Sequence, residues 1–228
     1  MITVPFVKTT LPNGLDVIVH EDRRVPLVAV SVWYHVGSKN ERPGLTGLAH
    51  LFEHLMFEGS EHQPGGYFPP LQEAGASLNG STSTDRTNYW ELVPENAFRL
   101  ALWMEADRMG WLLPALSQDR FETQRGVVLN ERRQSYENRP YGLAQFALMD
   151  ALFPPTHPYH WPTIGEPKDL EAATLDDVRA FFSRYYHPTN ASLVIAGDVA
   201  TDAAIAAAAE FFGDIPAGRP VPPVEPAA

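Results

Sequence analysis

The stretch Gly44-Leu45-Thr46-Gly47-Leu48-Ala49-His50-Leu51-Phe52-Glu53-His54-Leu55-Met56 decides how the rest of the chain is read. Its pattern is helical from Thr46 to about Glu58, because Leu48, Leu51, Phe52, Leu55 and Met56 recur at three- and four-residue intervals and form one apolar stripe. His50 and His54 lie outside that stripe. Successive helical residues are about 100° apart, so the two imidazoles fall within about 40° of each other and about 6 Å apart along the axis. Two imidazoles so placed suit one zinc ion, and Glu53 projects on the same side. With only 8 histidines in 228 residues, a chance H-x-x-E-H is rare. Ordinary surface or hydrogen-bonded histidines are the competing reading.

Catalytic zinc sites generally have three protein ligands and one open position, so the two histidines need a third partner. The candidate is Glu131, in Val127-Val128-Leu129-Asn130-Glu131-Arg132-Arg133. On a helix Glu131 shares a face with Gln124, Val127 and Val128, while Arg132 and Arg133 turn away and read as solvated or interdomain charges. A carboxylate on an apolar face needs a cation or a donor. Zinc would provide it, and so would a buried arginine.

Outward from these two helices the chain divides into runs of strands and runs of helices. Phe6–Thr10, the Pro12-Asn13-Gly14 turn and Leu15–His20 read as a hairpin, since Asn-Gly tolerates the positive φ of a tight turn. Leu27–Val36, Asn88–Val93 and Ala191–Ala196 read as further strands. A short helix ends near Gly75, and longer ones are expected at Glu95–Met109, Gln118–Glu137 with Ser117 as N-cap, Leu143–Leu152, Leu175–Tyr186 and Asp202–Phe212. Segregated runs, instead of alternating βαβ units, predict an α+β fold with a largely antiparallel sheet. Residues 1–212 are expected to form one domain. Residues 213–228, with five prolines, are expected to be a tail or interdomain linker.

Composition narrows the function. With 17 Lys plus Arg against 28 Asp plus Glu, the net charge of −11 argues against a nucleic-acid partner. No apolar window approaches the length of a membrane span. Met1–Gly14 lacks the unbroken apolar stretch of a leader, which places the chain in the cytoplasm; a chain whose leader had been removed to reach the periplasm would read the same. There is no cysteine, so a metal must be held by His and carboxylate groups. His157 and His160 lie in a proline-broken loop and read as ordinary loop residues. Trp103, Trp111 and Trp161 read as core or rim packing.

His50-Leu51-Phe52-Glu53-His54 followed 77 positions later by Glu131 resembles the inverted zinc motif of the pitrilysin/insulinase-type metallopeptidases. The resemblance extends over Thr10-Leu11-Pro12-Asn13-Gly14-Leu15, Val36-Gly37-Ser38, Gly44 to His50, Asn79 to Tyr89 and Ala196-Gly197-Asp198, and is strongest to the bacterial processing-protease branch related to mitochondrial processing peptidase. It implies an endopeptidase acting on peptides or unfolded segments, with zinc held by His50, His54 and Glu131 and with Glu53 as general base. Glu58, four residues past His54, would orient that imidazole. The run Ala76–Thr82 resembles the edge strand on which the family lays its substrate, with Asn79 as the preferred contact, although the same residues also read as a polar turn. Where the family often carries a second glutamate seven residues before the metal-binding one, this chain has Gln124, which brings no charge.

The resemblance also implies a second homologous domain or subunit, since members pair such units into a closing chamber. A zinc- and peptide-binding unit that needs this partner for turnover is therefore the alternative function. An H-x-x-E-H helix also occurs in S-ribosylhomocysteine lyase, but that chemistry needs cysteines that are absent here. The donor set of two imidazoles and a carboxylate suits zinc, and also cobalt or manganese.

Overall fold

A computed structural model of the protein describes residues 3–225. Its centre is a six-stranded sheet built from β1 (Val7–Thr10), β2 (Asp16–Glu21), β3 (Leu27–Tyr34), β4 (Ser77–Thr82), β5 (Thr87–Pro94) and β6 (Ala191–Gly197), in the order β1-β2-β6-β3-β5-β4. β2 and β6 run parallel and every other neighbouring pair is antiparallel. The α+β expectation holds. β6 comes from near the end of the chain yet pairs with β2 on one side and β3 on the other.

Alternation along the strands makes the sheet two-faced. Val28, Val30, Val32 and Tyr34 of β3 are fully buried, as are Leu193 and Ile195 of β6, and they pack beneath helices. On the other face Trp33, Trp90 and Leu92 remain exposed. The helices are α1 (Leu48–Leu55), α2 (Phe68–Glu73), α3 (Phe98–Ala115), α4 (Gln118–Arg132), α5 (Ala144–Leu152), α6 (Pro167–Ala172), α7 (Leu175–Tyr185) and α8 (Thr201–Phe212). Among the described residues none is long and apolar enough to cross a membrane.

Several bounds differ from the sequence expectation. α1 begins two residues late and stops at Leu55. α3 runs on to Ala115 through non-helical dihedrals at Trp111 and a proline at 114, which account for its kink. The helix expected over Gln118–Glu137 is α-helical to Arg132 and continues as one π-helical turn over Arg133–Glu137. Ser117 does cap it, accepting from Arg120 N at 3.2 Å. The polar run after Ala76 is a strand, β4, at the edge of the sheet. The proline-rich segment does not leave the body at once: Ile215 is buried, and Asn13 donates to the carbonyls of Phe212 and Ile215. Residues 226–228 of that segment lie outside the described residues.

Candidate metal centre

Leu48, Leu51, Phe52 and Leu55 seat α1 in the core, and this turns His50 and His54 toward the last turn of α4. Glu131 meets them there. His54 Nε2 lies 3.3 Å and His50 Nε2 3.7 Å from the same oxygen, Glu131 Oε2. The two rings stand 81° apart with centroids separated by 4.8 Å. Ligand atoms each about 2.05 Å from a tetrahedral zinc are about 3.3 Å from one another, close to the two separations from Glu131, and the three ligand atoms all lie within 4.8 Å of one another, so they could hold such an ion. Among the described residues this is the one cluster of three or more His or carboxylate groups spaced to hold a metal.

Electrostatics favours the ligand form of His50. Burial, reinforced by the neighbouring His54, pulls its imidazole down to about 4, so it is neutral near pH 7 with a lone pair free. Its Nδ1 is buried and has no hydrogen-bond partner among the described residues. Glu53 shifts the other way: burial raises its carboxyl above the ordinary value, against the opposing effects of Thr82 and His54. Thr82 Oγ1 donates to Glu53 Oε2 at 2.6 Å, which ties α1 to the end of the edge strand.

The remaining predicted residues are placed as follows. Asn79 is exposed on β4, where its Oδ1 accepts from Gly80 N at 2.8 Å. Gln124 is buried two turns before Glu131. Glu58 is not paired with His54: helical spacing ends at Leu55, and Phe57 N and Glu58 N instead bond to the carbonyls of His54 and Leu55 in a closing turn. Arg132 corrects the sequence expectation, since it is 7% exposed and not solvated, and its guanidinium Nη1 donates to Gly165 O at 2.6 Å. His160 is a loop residue, with Nδ1 on the Phe153 carbonyl. Trp161 is buried and donates to Ser38 O.

Sequence reasoning missed two contributors. Strand alternation puts Thr82 on the inner side of β4 with Gly80 and Leu78, opposite to Asn79, so its approach to Glu53 had a period-two signal. Glu41 had no local signal: it reaches across a loop so that its two carboxyl oxygens accept from Gly47 N and Ala49 N, each at 2.8 Å, and caps α1. A cleft of about 500 Å³ lined by Thr46, Phe146, His160, Trp161, Glu166 and Asp169 contains none of His50, Glu53, His54 or Glu131. The candidate trio instead sits at an open surface, where the Glu131 side chain is 38% exposed.

Comparison with known proteins places these features. The family model described as Insulinase (Peptidase family M16) matches residues 16–156, and the one described as Peptidase M16 inactive domain matches residues 172–228. The chain is 38% identical over 192 residues to the zinc protease PqqE of Helicobacter pylori, covering 83% of this chain and 43% of that protein. It is 32% identical over 219 residues to an uncharacterized zinc protease of Mycobacterium tuberculosis, covering 95% of this chain and 49% of that one. The crystal structure of a protease from Helicobacter pylori superposes with a TM-score of 0.90 at 32% identity, covering 97% of this chain and 53% of that one. The chain thus spans about half the length of the curated relatives it matches. The boundary between the two family models falls before β6, although β6 lies inside the sheet.

Proposed function

This chain belongs to the insulinase family of peptidases, M16, and from that premise we propose that it is a zinc-dependent endopeptidase unit that hydrolyses peptides or unfolded protein segments. The observation that carries the reading is the convergence of His50 and His54 from α1 and Glu131 from α4 on one point, with Glu53 beside them. These three side chains would hold the zinc. When bound, zinc supplies Lewis acidity, polarising a carbonyl and lowering the pKa of a water to about 7.

Glu53 is the general base: it takes a proton from the attacking water and passes it to the leaving amine. Its raised carboxyl pKa suits that exchange, because a base works best when its pKa approaches the operating pH. The hydroxyl of Thr82 holds the Glu53 carboxylate by one oxygen. Among the described residues β4 is paired on one side only, so its free edge can accept an extended peptide as an added strand, with Asn79 on its exposed face. Gln124 offers a neutral hydrogen-bonding amide on the ligand-bearing helix.

Glu53→Gln tests the assignment. The variant is expected to bind zinc as the parent does while cleavage of an unstructured peptide falls by about 10² to 10⁴-fold. A rate equal to the parent's overturns the role of Glu53. The half-length coverage of the relatives favours a second reading, in which the chain binds zinc and peptide but needs a second homologous domain or subunit for efficient turnover.

A further inference from the structure

We propose that Arg132 and the segment Trp161–Asp169 form a strut that fixes the gap between α1 and α4, making Arg132 a positioning residue for Glu131; the proposal rests on His50, His54 and Glu131 being metal ligands. Glu131 and Arg132 are neighbours on α4 and point about 100° apart. While Glu131 faces α1, Arg132 enters the protein, and a buried guanidinium must place its donors. Nη1 donates to Gly165 O at 2.6 Å, Nε to Glu137 Oε1 at 3.0 Å and Nη2 to Glu166 Oε2 at 3.4 Å. The guanidinium carbon lies 5.0 Å from the ring centre of Phe146. This fork holds one end of the strut.

The other end rests on the start of α1. Gly165 has φ +80° and Gly47 has φ +91°, and the two meet backbone to backbone: a Cβ on Gly165 would lie 2.4 Å from Gly47 Cα. Thr46 Oγ1 donates to Asp169 Oδ2 at 2.8 Å and accepts from Glu166 N at 2.9 Å. Trp161 Nε1 donates to Ser38 O at 2.8 Å, which anchors the beginning of the segment. A continuous chain of contacts therefore runs from the residue beside Glu131 to the residue three before His50. The apolar stripe already seats α1 on the sheet; the strut adds a fixed distance to α4. Metal ligands need that distance, because coordination lengths tolerate only about ±0.2 Å.

The test is zinc affinity of the folded chain by chelator competition, with the visible absorption of bound Co²⁺ as a second readout. Arg132→Met keeps apolar bulk but removes the fork, and Arg132→Lys keeps the charge without bidentate geometry. Zinc binding is expected to weaken about 10- to 100-fold in Arg132→Met and less in Arg132→Lys, each with an altered Co²⁺ spectrum and unchanged circular dichroism. Ile195→Val, which removes a buried methyl from β6, should lower thermal stability and leave both metal readouts unchanged. A parent chain that binds no zinc overturns the ligand reading and the strut with it. A parent that binds zinc, beside Arg132 variants of equal affinity and identical Co²⁺ spectra, overturns the positioning role alone. Should Arg132→Met fail to fold, Arg132→Lys decides by the same criteria.

Discussion

Arg108 is 1% exposed and is held between two carboxylates, donating to both oxygens of Glu105 and, at 3.4 Å, to Glu91 Oε1. Its guanidinium carbon lies 3.8 Å from the ring centre of Tyr67 and 4.0 Å from that of Tyr89. One cation beside two buried anions would leave a net negative charge in the core. Burial and the Glu105 charge instead push the Glu91 carboxyl well above its ordinary range, which favours its protonated form. The folded chain thus retains a proton that the unfolded chain releases above the ordinary value of 4.5, and this group's contribution to stability falls as pH rises beyond that value. Glu91→Gln, an isostere of the protonated form, is expected to flatten the dependence and to be at least as stable as the parent at pH 8; urea denaturation at pH 5 and pH 8 measures this, and a variant that loses stability at pH 8 refutes the protonated state. Glu105→Gln strips Arg108 of its counter-charge and is expected to cost about 3–5 kcal/mol in the same assay. The inward position of Glu91 was legible, since alternation along β5 aligns it with Tyr89 and Val93. Its partner was not, because no local spacing links Glu91 to a residue 17 positions later on α3.

At the scale of the element, α1 shows what periodicity can and cannot specify. Its apolar stripe and the placement of His50, Glu53 and His54 on the opposite side follow from residues within two turns of one another, and they were legible for that reason. Its ends were not. Gly47 stands at the N-cap with φ +91°, and a Cβ there would lie 2.9 Å from both Gly165 Cα and Ile164 O, so the start of the helix is set by a segment more than a hundred residues away. Gly47→Ala combines a left-handed backbone, costing about 1–2 kcal/mol, with overpacking of about 1–3 kcal/mol against backbone that cannot move aside. A loss of roughly 2–5 kcal/mol in equilibrium unfolding is expected, and a loss below 1 kcal/mol would show that the contact yields. β4 illustrates the opposite limit: Ser77-Leu78-Asn79-Gly80-Ser81-Thr82 has one large apolar residue and is a strand because β5 pairs with it along its whole length. For the site this means that the proposed ligands on one helix could be read directly, Glu131 only through its helical face and the resemblance, Thr82 in part from the alternation of β4, and Arg132 only from tertiary contacts.

The whole molecule sets the conditions under which this chemistry would run. All three proposed zinc ligands and the proposed base belong to this chain, so the proposed site asks for no ligand from outside it. Substrate enclosure is another matter, because the Glu131 side chain is 38% exposed and the site opens at the surface beside the free edge of β4. The opposite face of the sheet still presents Trp33, Trp90 and Leu92 to solvent, and the chain spans about half of its relatives' length. Positioning a bound peptide is worth about 10²-fold in rate for a displacement near 1 Å. The isolated chain is therefore expected to cleave an unstructured peptide at least about 10²-fold more slowly than the same chain supplied with a second homologous unit, in kcat/KM, while zinc affinity is the same in both. The two measurements separate the outcomes: full activity of the lone chain removes the need for a partner, and a zinc affinity that rises on adding the second unit means that a ligand is supplied from there and that the trio is incomplete.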